Sequence, residues 1–211
     1  MRLHTFFNSS ASYRVRIALA LKGLEYEHVG VNIRVGEQRT PEFLDLNPVG
    51  LVPALEHGSY RLTQSLAIID YLDRLAPEPL LTPVAGPARD RVLEIALLIA
   101  TDIHPVNNMR ILKYLSKTLK VTDAQRQDWY AEWIAQGLGA LEKMLPDHDG
   151  WCVGDAPTLA DCCLVPQLAN AQRNNIDLEP YPRARRIRAF CERHPAFVQA
   201  APEKQPDYKA P

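Results

Sequence analysis

The 211-residue chain has little of what would tie it to a membrane, to nucleic acid or to a secretory route. It contains no run of about 18 consecutive apolar residues, so no membrane-spanning helix and no membrane partner are predicted. The net charge is only −1 and no polybasic run occurs, which argues against a nucleic-acid partner. The first residues lack the charged and apolar regions of a signal peptide.

Cysteine is also scarce, with four residues at Cys152, Cys162, Cys163 and Cys191. They form no CxxC pair and no zinc-ligand spacing, and the adjacent pair at 162 and 163 does not easily form a disulfide. The pattern predicts reduced, mostly buried thiols in a cytoplasmic protein, and no metal site.

The apolar periodicity divides the chain into two halves. Before about residue 82, strand and helix patterns alternate. The predicted elements there are strands near 2–6 and 26–32, helices near 12–22, 41–46 and 65–75, and a hairpin of residues 52–56 and 60–62. A proline-rich connector follows, and everything after it has helical spacing. We therefore predict an α/β domain at residues 1–82 and an all-helical domain at residues 88–211.

The helical half carries its own boundary signals. Pro105 should kink a long helix because its ring removes one backbone hydrogen bond and clashes with the preceding turn. Thr158 and Asp161 have the spacing of a capping box, which predicts a helix beginning there. Further helices are predicted around residues 129–145 and 183–192. The polar tail from Pro202 is expected to be loose.

Three hydroxyls, those of Ser9, Ser10 and Ser12, lie where the first strand gives way to the first helix. The first amides of a helix lack backbone partners, and the positive end of the helix dipole points outward there. Such a position can hold a phosphate, a carboxylate or a thiolate. A serine there can equally serve as the helix cap. The residues alone leave both interpretations open.

Three further fragments in the first half suit a peptide-like anion. Val52-Pro53 opens a strand, and an X-Pro bond can adopt the cis form that leaves the preceding backbone groups free to pair with a ligand. Gln64-Ser65 begins the last helix of this half and forms a second helix N-terminus. Gln38 lies in the polar loop before the short helix.

Taken in order, these fragments resemble the zeta class of glutathione transferases, which includes maleylacetoacetate isomerase and bacterial maleylpyruvate isomerase. The resemblance covers nearly the whole chain and is carried by residues 9–19, 47–48, 52–53, 64–69, 102–108, 154–161 and 177–182. The class usually has a cysteine where this chain has Ala11, a departure that removes a thiol but leaves Ser9. Asn8 stands where maleylpyruvate isomerases of the class have an arginine.

The resemblance implies a thioredoxin-like domain that binds glutathione as a cofactor, a helical domain that binds the second substrate, and a homodimer. It implies that the first domain of each subunit packs against the helical domain of the other. The implied reaction is the cis–trans isomerisation of maleylacetoacetate to fumarylacetoacetate by thiolate addition, rotation and elimination. Alternatives are a maleylpyruvate isomerase, a transferase acting on small α-halo acids, and a non-catalytic module that retains the scaffold.

The resemblance also implies roles for particular residues. Ser9 and Ser10 would act on the glutathione sulfur, and Arg110 and Arg173 would hold the carboxylates of a maleyl keto acid, since guanidinium groups pair well with carboxylates. The implied glutathione contacts are Ser9, Ser10, Ala11, Ser12, Tyr13, Arg14, Gln38, Val52, Gln64, Ser65, His104 and Asn108.

Overall fold

The computed structural model describes residues 1–209, which fall into two compact units. The first contains Met1–Pro83 together with the described residues from Cys191 onward, and the second contains Val84–Phe190. Chain contacts thus divide the C-terminal region differently from the sequence-based boundary, because the last helix packs on the first helix. None of the helices within residues 1–209 combines the length and the apolar character needed to cross a membrane.

The first unit is built on a mixed four-stranded sheet in the order β2-β1-β3-β4. Strand β1 pairs in parallel with β2 and antiparallel with β3, and β3 and β4 form the predicted hairpin. The elements are β1 (Arg2–Thr5), α1 (Ser10–Leu21), β2 (Glu27–Gly30), a 3₁₀ turn (Glu37–Arg39), α2 (Pro41–Leu46), β3 (Ala54–His57), β4 (Tyr60–Thr63) and α3 (Ser65–Leu75). This is the thioredoxin-like arrangement that the resemblance implied.

A buried ion pair binds the start of the proline-rich connector to this unit. The Lys22 ammonium lies 2.8 Å from the Asp73 carboxylate and donates a hydrogen bond to the carbonyl of Pro79. The same carboxylate accepts hydrogen bonds from the backbone amides of Leu81 and Thr82, each at 2.9 Å. The connector is therefore attached as far as Thr82.

The second unit is helical, as predicted, but its first long helix is not continuous. Pro105 lies in a short helix that directly follows a π-helical segment, and the helical run ends just after it, at Asn107 and Asn108. The elements are α4 (Pro87–Leu97), a π-helical segment (Leu98–Ile103), α5 (His104–Val106), α6 (Met109–Lys117), α7 (Asp123–Met144), α8 (Leu159–Arg173) and α9 (Pro182–Cys191).

The predicted capping box at the start of α8 is confirmed. Asp161 is fully buried, and its carboxylate accepts from the amide and the hydroxyl of Thr158, each at 2.8 Å. It also accepts from the amide of Cys152 at 2.7 Å. Burial raises the pKa of Asp161, an effect that these hydrogen bonds oppose. This carboxylate therefore serves the fold, holding the chain before α8 against the beginning of that helix.

The expectation of a loose tail from Pro202 is wrong for the part that the structure describes. After helix α10 (Pro195–Ala200), a 3₁₀ turn (Pro202–Lys204) leads to a buried Gln205. The side-chain amide of Gln205 donates to the carbonyl of Ala201 at 2.9 Å. The chain is polar here because its side chains hydrogen-bond to backbone, a use that composition alone does not reveal. Each of the four cysteines is a buried thiol, as predicted.

Candidate active site

Ser9 is the N-cap of α1, which confirms the capping interpretation. Its hydroxyl oxygen accepts a hydrogen bond from the backbone amide of Ser12 at 3.2 Å. A hydroxyl that accepts in this way keeps its own O–H, so it can still donate to an anion placed beyond the helix end. Ser10 and Ser12 lie inside the first turn, and their buried hydroxyl oxygens find no hydrogen-bond partner among residues 1–209.

The beginning of α3 presents a second helix end without a side-chain cap. Gln64 adopts a positive φ of 69° with ψ 115°, a backbone conformation that costs a non-glycine residue on the order of 1–3 kcal/mol. The buried guanidinium of Arg14 donates to the hydroxyl of Ser65 at 3.3 Å. Unpaired amides, a helix dipole and a buried cation thus add positive potential at one point, which suits a carboxylate.

Val52 and Gln38 are two further first-unit positions that the resemblance assigned to glutathione. The Val52–Pro53 bond is cis, as the sequence suggested. The strand pairings of β3 begin at Ala54, so the backbone of Val52 lies outside both ladders. Gln38 is buried, and its side-chain oxygen has no hydrogen-bond partner within the described chain. Both residues therefore offer polar groups that the fold itself does not use.

Contacts within the first unit connect some of these positions. Val52 packs in one apolar cluster with Phe6 and Phe7, the residues that lead into Ser9. Arg14 connects α1 with the start of α3. The side chain of Tyr13 points elsewhere: it is buried, and its hydroxyl lies 3.5 Å from the carbonyl of Phe197. Ala11 is half-buried on the first turn of α1.

In the helical unit, the predicted residues from His104 to Arg110 follow the π-helical segment. Asn108 caps α6, since its side-chain oxygen accepts from the amide of Arg110 at 3.1 Å. Its side-chain nitrogen lies 3.4 Å from the imidazole Nε2 of His104. The Arg110 side chain is exposed. Three of the four positions expected in this unit are therefore neighbours on one short stretch of chain.

A buried tyrosine that the sequence reasoning missed relates this stretch to Arg173. The carbonyl of Tyr130 accepts from the Asn107 side chain at 3.1 Å, and its hydroxyl accepts from Asn174 at 3.1 Å. Burial raises the pKa of Tyr130, and the charge of Arg173 at the exposed end of α8 opposes that rise. The partners of Tyr130 lie 23 and 44 residues away in the sequence, so no local sequence pattern could have predicted its role.

Comparisons with known proteins cover both units. The family model "Glutathione S-transferase, N-terminal domain" matches residues 1–74, and "Glutathione S-transferase, C-terminal domain" matches residues 123–194. A probable maleylacetoacetate isomerase from Vibrio cholerae is 49% identical over 208 residues, which is 97% of each chain.

Two solved structures show the same fold. The holo structure of a maleylpyruvate isomerase, a bacterial glutathione S-transferase of the zeta class, is 44% identical with a TM-score of 0.95, and the match covers 99% of this chain and 100% of the other. A maleylacetoacetate isomerase from Anaeromyxobacter dehalogenans, with glutathione in its active site, is 41% identical with a TM-score of 0.87. That match covers 98% of this chain and 96% of the other.

Proposed function

The chain belongs to the zeta class of the glutathione S-transferase family, and on that premise we propose that it isomerises maleylacetoacetate to fumarylacetoacetate with glutathione as cofactor. The observation that carries the proposal is the hydroxyl of Ser9 at the positive end of α1. That hydroxyl already accepts from the helix and retains a proton to donate. Bound glutathione supplies a thiolate whose reversible addition makes the cis double bond single, permits rotation, and ends in elimination of the thiolate.

We propose that Ser9 stabilises that thiolate by donating its hydroxyl proton in a hydrogen bond to the sulfur. A free cysteine thiol has a pKa of about 8.5, so only about 3% is ionised at pH 7. Lowering the pKa by ~2 units makes most of it thiolate and requires about 2.7 kcal/mol. A hydrogen bond to a charged group contributes about 1.5–3 kcal/mol, and a helix terminus adds about 0.3–1 kcal/mol.

The remaining first-unit residues suit the rest of glutathione. We assign the γ-glutamyl carboxylate to Ser65 and the uncapped start of α3, because Arg14 supplies a buried positive charge beside that hydroxyl. Val52 has backbone groups outside the strand ladders for the cysteinyl amide, and Gln38 has a buried oxygen for a further donor. Ser10 supports the glutathione thiolate from within the first turn of α1.

From the helical unit, we assign His104 and Asn108 to glutathione and Arg110 and Arg173 to the carboxylates of the keto acid. Both guanidinium groups are exposed, so they can reach a dissolved substrate. Paired guanidinium and carboxylate groups form short, charge-assisted hydrogen bonds that orient the substrate as well as binding it.

A direct assay tests the reaction. Purified protein should convert maleylacetoacetate to its trans isomer only when glutathione is present, and glutathione should not be consumed. Maleylpyruvate is the second candidate substrate, favoured by the TM-score of 0.95 to a maleylpyruvate isomerase, and it belongs in the same assay. The higher kcat/KM identifies the preferred substrate. Conversion of neither compound, in a protein that binds glutathione, would contradict the proposal and favour a transferase acting on α-halo acids or a non-catalytic module.

We further infer a homodimer in the cytoplasm. Reduced glutathione is abundant in that compartment, and the proposed chemistry requires the thiol form. Light scattering should give twice the chain mass of 23.8 kDa. A value equal to the chain mass would contradict the dimer.

A further inference from the structure

The turn that carries Ser9 lies between β1 and α1. The amide of Ser9 donates to the carbonyl of Phe6 at 3.0 Å, which closes a turn with Phe7 and Asn8 at its centre. That hydrogen bond does not use the amide of Phe7, which donates instead to a group outside the turn. The position of the Ser9 hydroxyl therefore depends on what binds the outer side of this turn.

Residues near the C-terminus bind that outer side. The carboxylate of Asp207 accepts from the amide of Phe7 at 2.9 Å, across 200 positions in the sequence. Its other oxygen lies 2.9 Å from Nε2 of His28 on β2, so Asp207 joins the turn to the sheet edge. The ring of Tyr208 meets the ring of Phe7 edge to face, with centroids 5.3 Å apart. Gly30 leaves space for this approach, since a Cβ there would lie 3.2 Å from that of Asp207.

A buried arginine holds the carbonyls of the same turn. Arg16 donates to the carbonyl of Phe7 at 3.0 Å and to the carbonyl of Phe6 at 3.3 Å. The same guanidinium donates to the carbonyl of Ala200 at 3.0 Å, at the end of α10. The turn is thus held at its amide by Asp207 and at its carbonyls by Arg16, and both attachments lead to the C-terminal segment.

We propose that residues 191–209, acting through Asp207, are a positioning element for Ser9. By fixing the amide of Phe7, Asp207 sets the direction in which the Ser9 hydroxyl donates to the glutathione sulfur. The inference rests on the proposed role of Ser9. Asp207 binds the backbone of the turn, so in this proposal it acts through the geometry of that turn.

Titration of bound glutathione tests this role. The thiolate absorbance of the glutathione complex is measured against pH for wild type, Asp207→Ala, Asp207→Asn and Ser9→Ala. The exposed Glu203→Gln, in the same segment, is the matched control. For Asp207→Ala we expect the thiol pKa to rise by about one unit and kcat to fall about tenfold, because displacement of a reacting group by an ångström can cost as much as a hundredfold. The glutathione Kd should stay within about twofold, since the α3 site is untouched.

The other variants separate the explanations. Asp207→Asn keeps an oxygen that can accept from Phe7, so its thiol pKa and kcat should lie near those of wild type. A folded Asp207→Ala with an unchanged thiol pKa, or one that loses only glutathione affinity, would overturn the inference. If Asp207→Ala does not fold, Tyr208→Ala replaces it, because that ring is 40% exposed, and it should raise the thiol pKa by a smaller amount. No rise in folded Tyr208→Ala would equally overturn it. An unshifted pKa in Ser9→Ala would refute the role of Ser9 itself.

Discussion

At the scale of single residues, the hydroxyl of Ser9 serves the fold and, in our proposal, the chemistry. We expect Ser9→Ala to raise the thiol pKa of bound glutathione by about 1–2 units, the equivalent of one hydrogen bond to a charged group. The variant should also lose about 1 kcal/mol of stability, because Ser9 is the helix cap. Ser10 and Ser12 lie inside the first helical turn and do not cap α1 in its observed register.

A matched control for Ser9→Ala is Thr122→Ala, which removes the cap of α7 in the other unit. Its loss of stability, measured by urea unfolding, should be similar, while the thiol pKa stays that of wild type. Equal kinetic losses in the two variants would mean that capping alone explains the effect of Ser9.

The two candidate arginines also belong to this scale. Arg110→Met and Arg173→Met should each lower kcat/KM for the maleyl keto acid roughly tenfold or more relative to a neutral aromatic electrophile. The reason is that only the acidic substrate loses a charge-assisted hydrogen bond, which contributes about 1.5–3 kcal/mol. Arg126→Met, which removes an exposed ion pair with Asp123, is the control. It should leave kcat/KM unchanged for both the keto acid and the neutral electrophile. Parallel losses on both substrates would assign the arginines to structure or to glutathione.

At the scale of elements, one glycine lets α7 approach the π-helical segment that precedes His104. A Cβ on Gly137 would lie 2.3 Å from Cγ1 of the buried Ile103, whereas a Cβ on Gly139 would meet nothing within 4 Å. Gly137→Ala should therefore destabilise the protein by up to about 2 kcal/mol, the overpacking cost of about 1–3 kcal/mol less a helix-propensity gain of about 1 kcal/mol.

Gly139→Ala is the matched variant on the same helix and should instead stabilise the protein by up to about 1 kcal/mol. Urea unfolding of both variants measures the change in the free energy of unfolding, which should fall for Gly137→Ala and rise for Gly139→Ala. Because Ile103 directly precedes His104, Gly137→Ala should also weaken glutathione binding. If Gly137→Ala and Gly139→Ala both stabilise the protein, the fold does not require a glycine where α7 meets the π-helical segment.

At the scale of the whole molecule, the Lys22–Asp73 pair attaches the chain leaving α3 to the first unit. Both side chains are nearly or fully buried. Lys22→Met should destabilise the protein by about 3–5 kcal/mol, since it leaves the carboxylate buried without its cation. The exposed pair of Arg91 and Glu94 offers the control, and Arg91→Met should cost less than about 1 kcal/mol.

The double variant Lys22→Met with Asp73→Asn should recover part of the loss, because the uncompensated charge is then removed. Thermal or urea unfolding of wild type, Lys22→Met and the double variant gives the comparison. A double variant less stable than Lys22→Met would indicate that the hydrogen bonds from Leu81 and Thr82 require the charged form.

The sequence by itself determined the order and type of most elements. It also determined the helix N-termini at α1 and α3 in the first unit. These features depend on local physics: apolar periodicity, a hydroxyl before a helix at Ser9, a proline after Val52, and the Thr158–Asp161 spacing all act within a few residues. For the same reason, the capping box and the hairpin were predicted correctly without any tertiary information.

Only the tertiary structure decided how those local features are held. Asp207 binds the amide of Phe7, Arg16 binds the carbonyl of Ala200, and Tyr130 joins Asn107 to Asn174. In the first two pairs the partners lie 200 and 184 positions apart. A polar residue in a tail has the same local pattern whether it is solvated or bound to a distant amide. Its role is set by which buried backbone group needs a partner, and that is known only when the chain has folded.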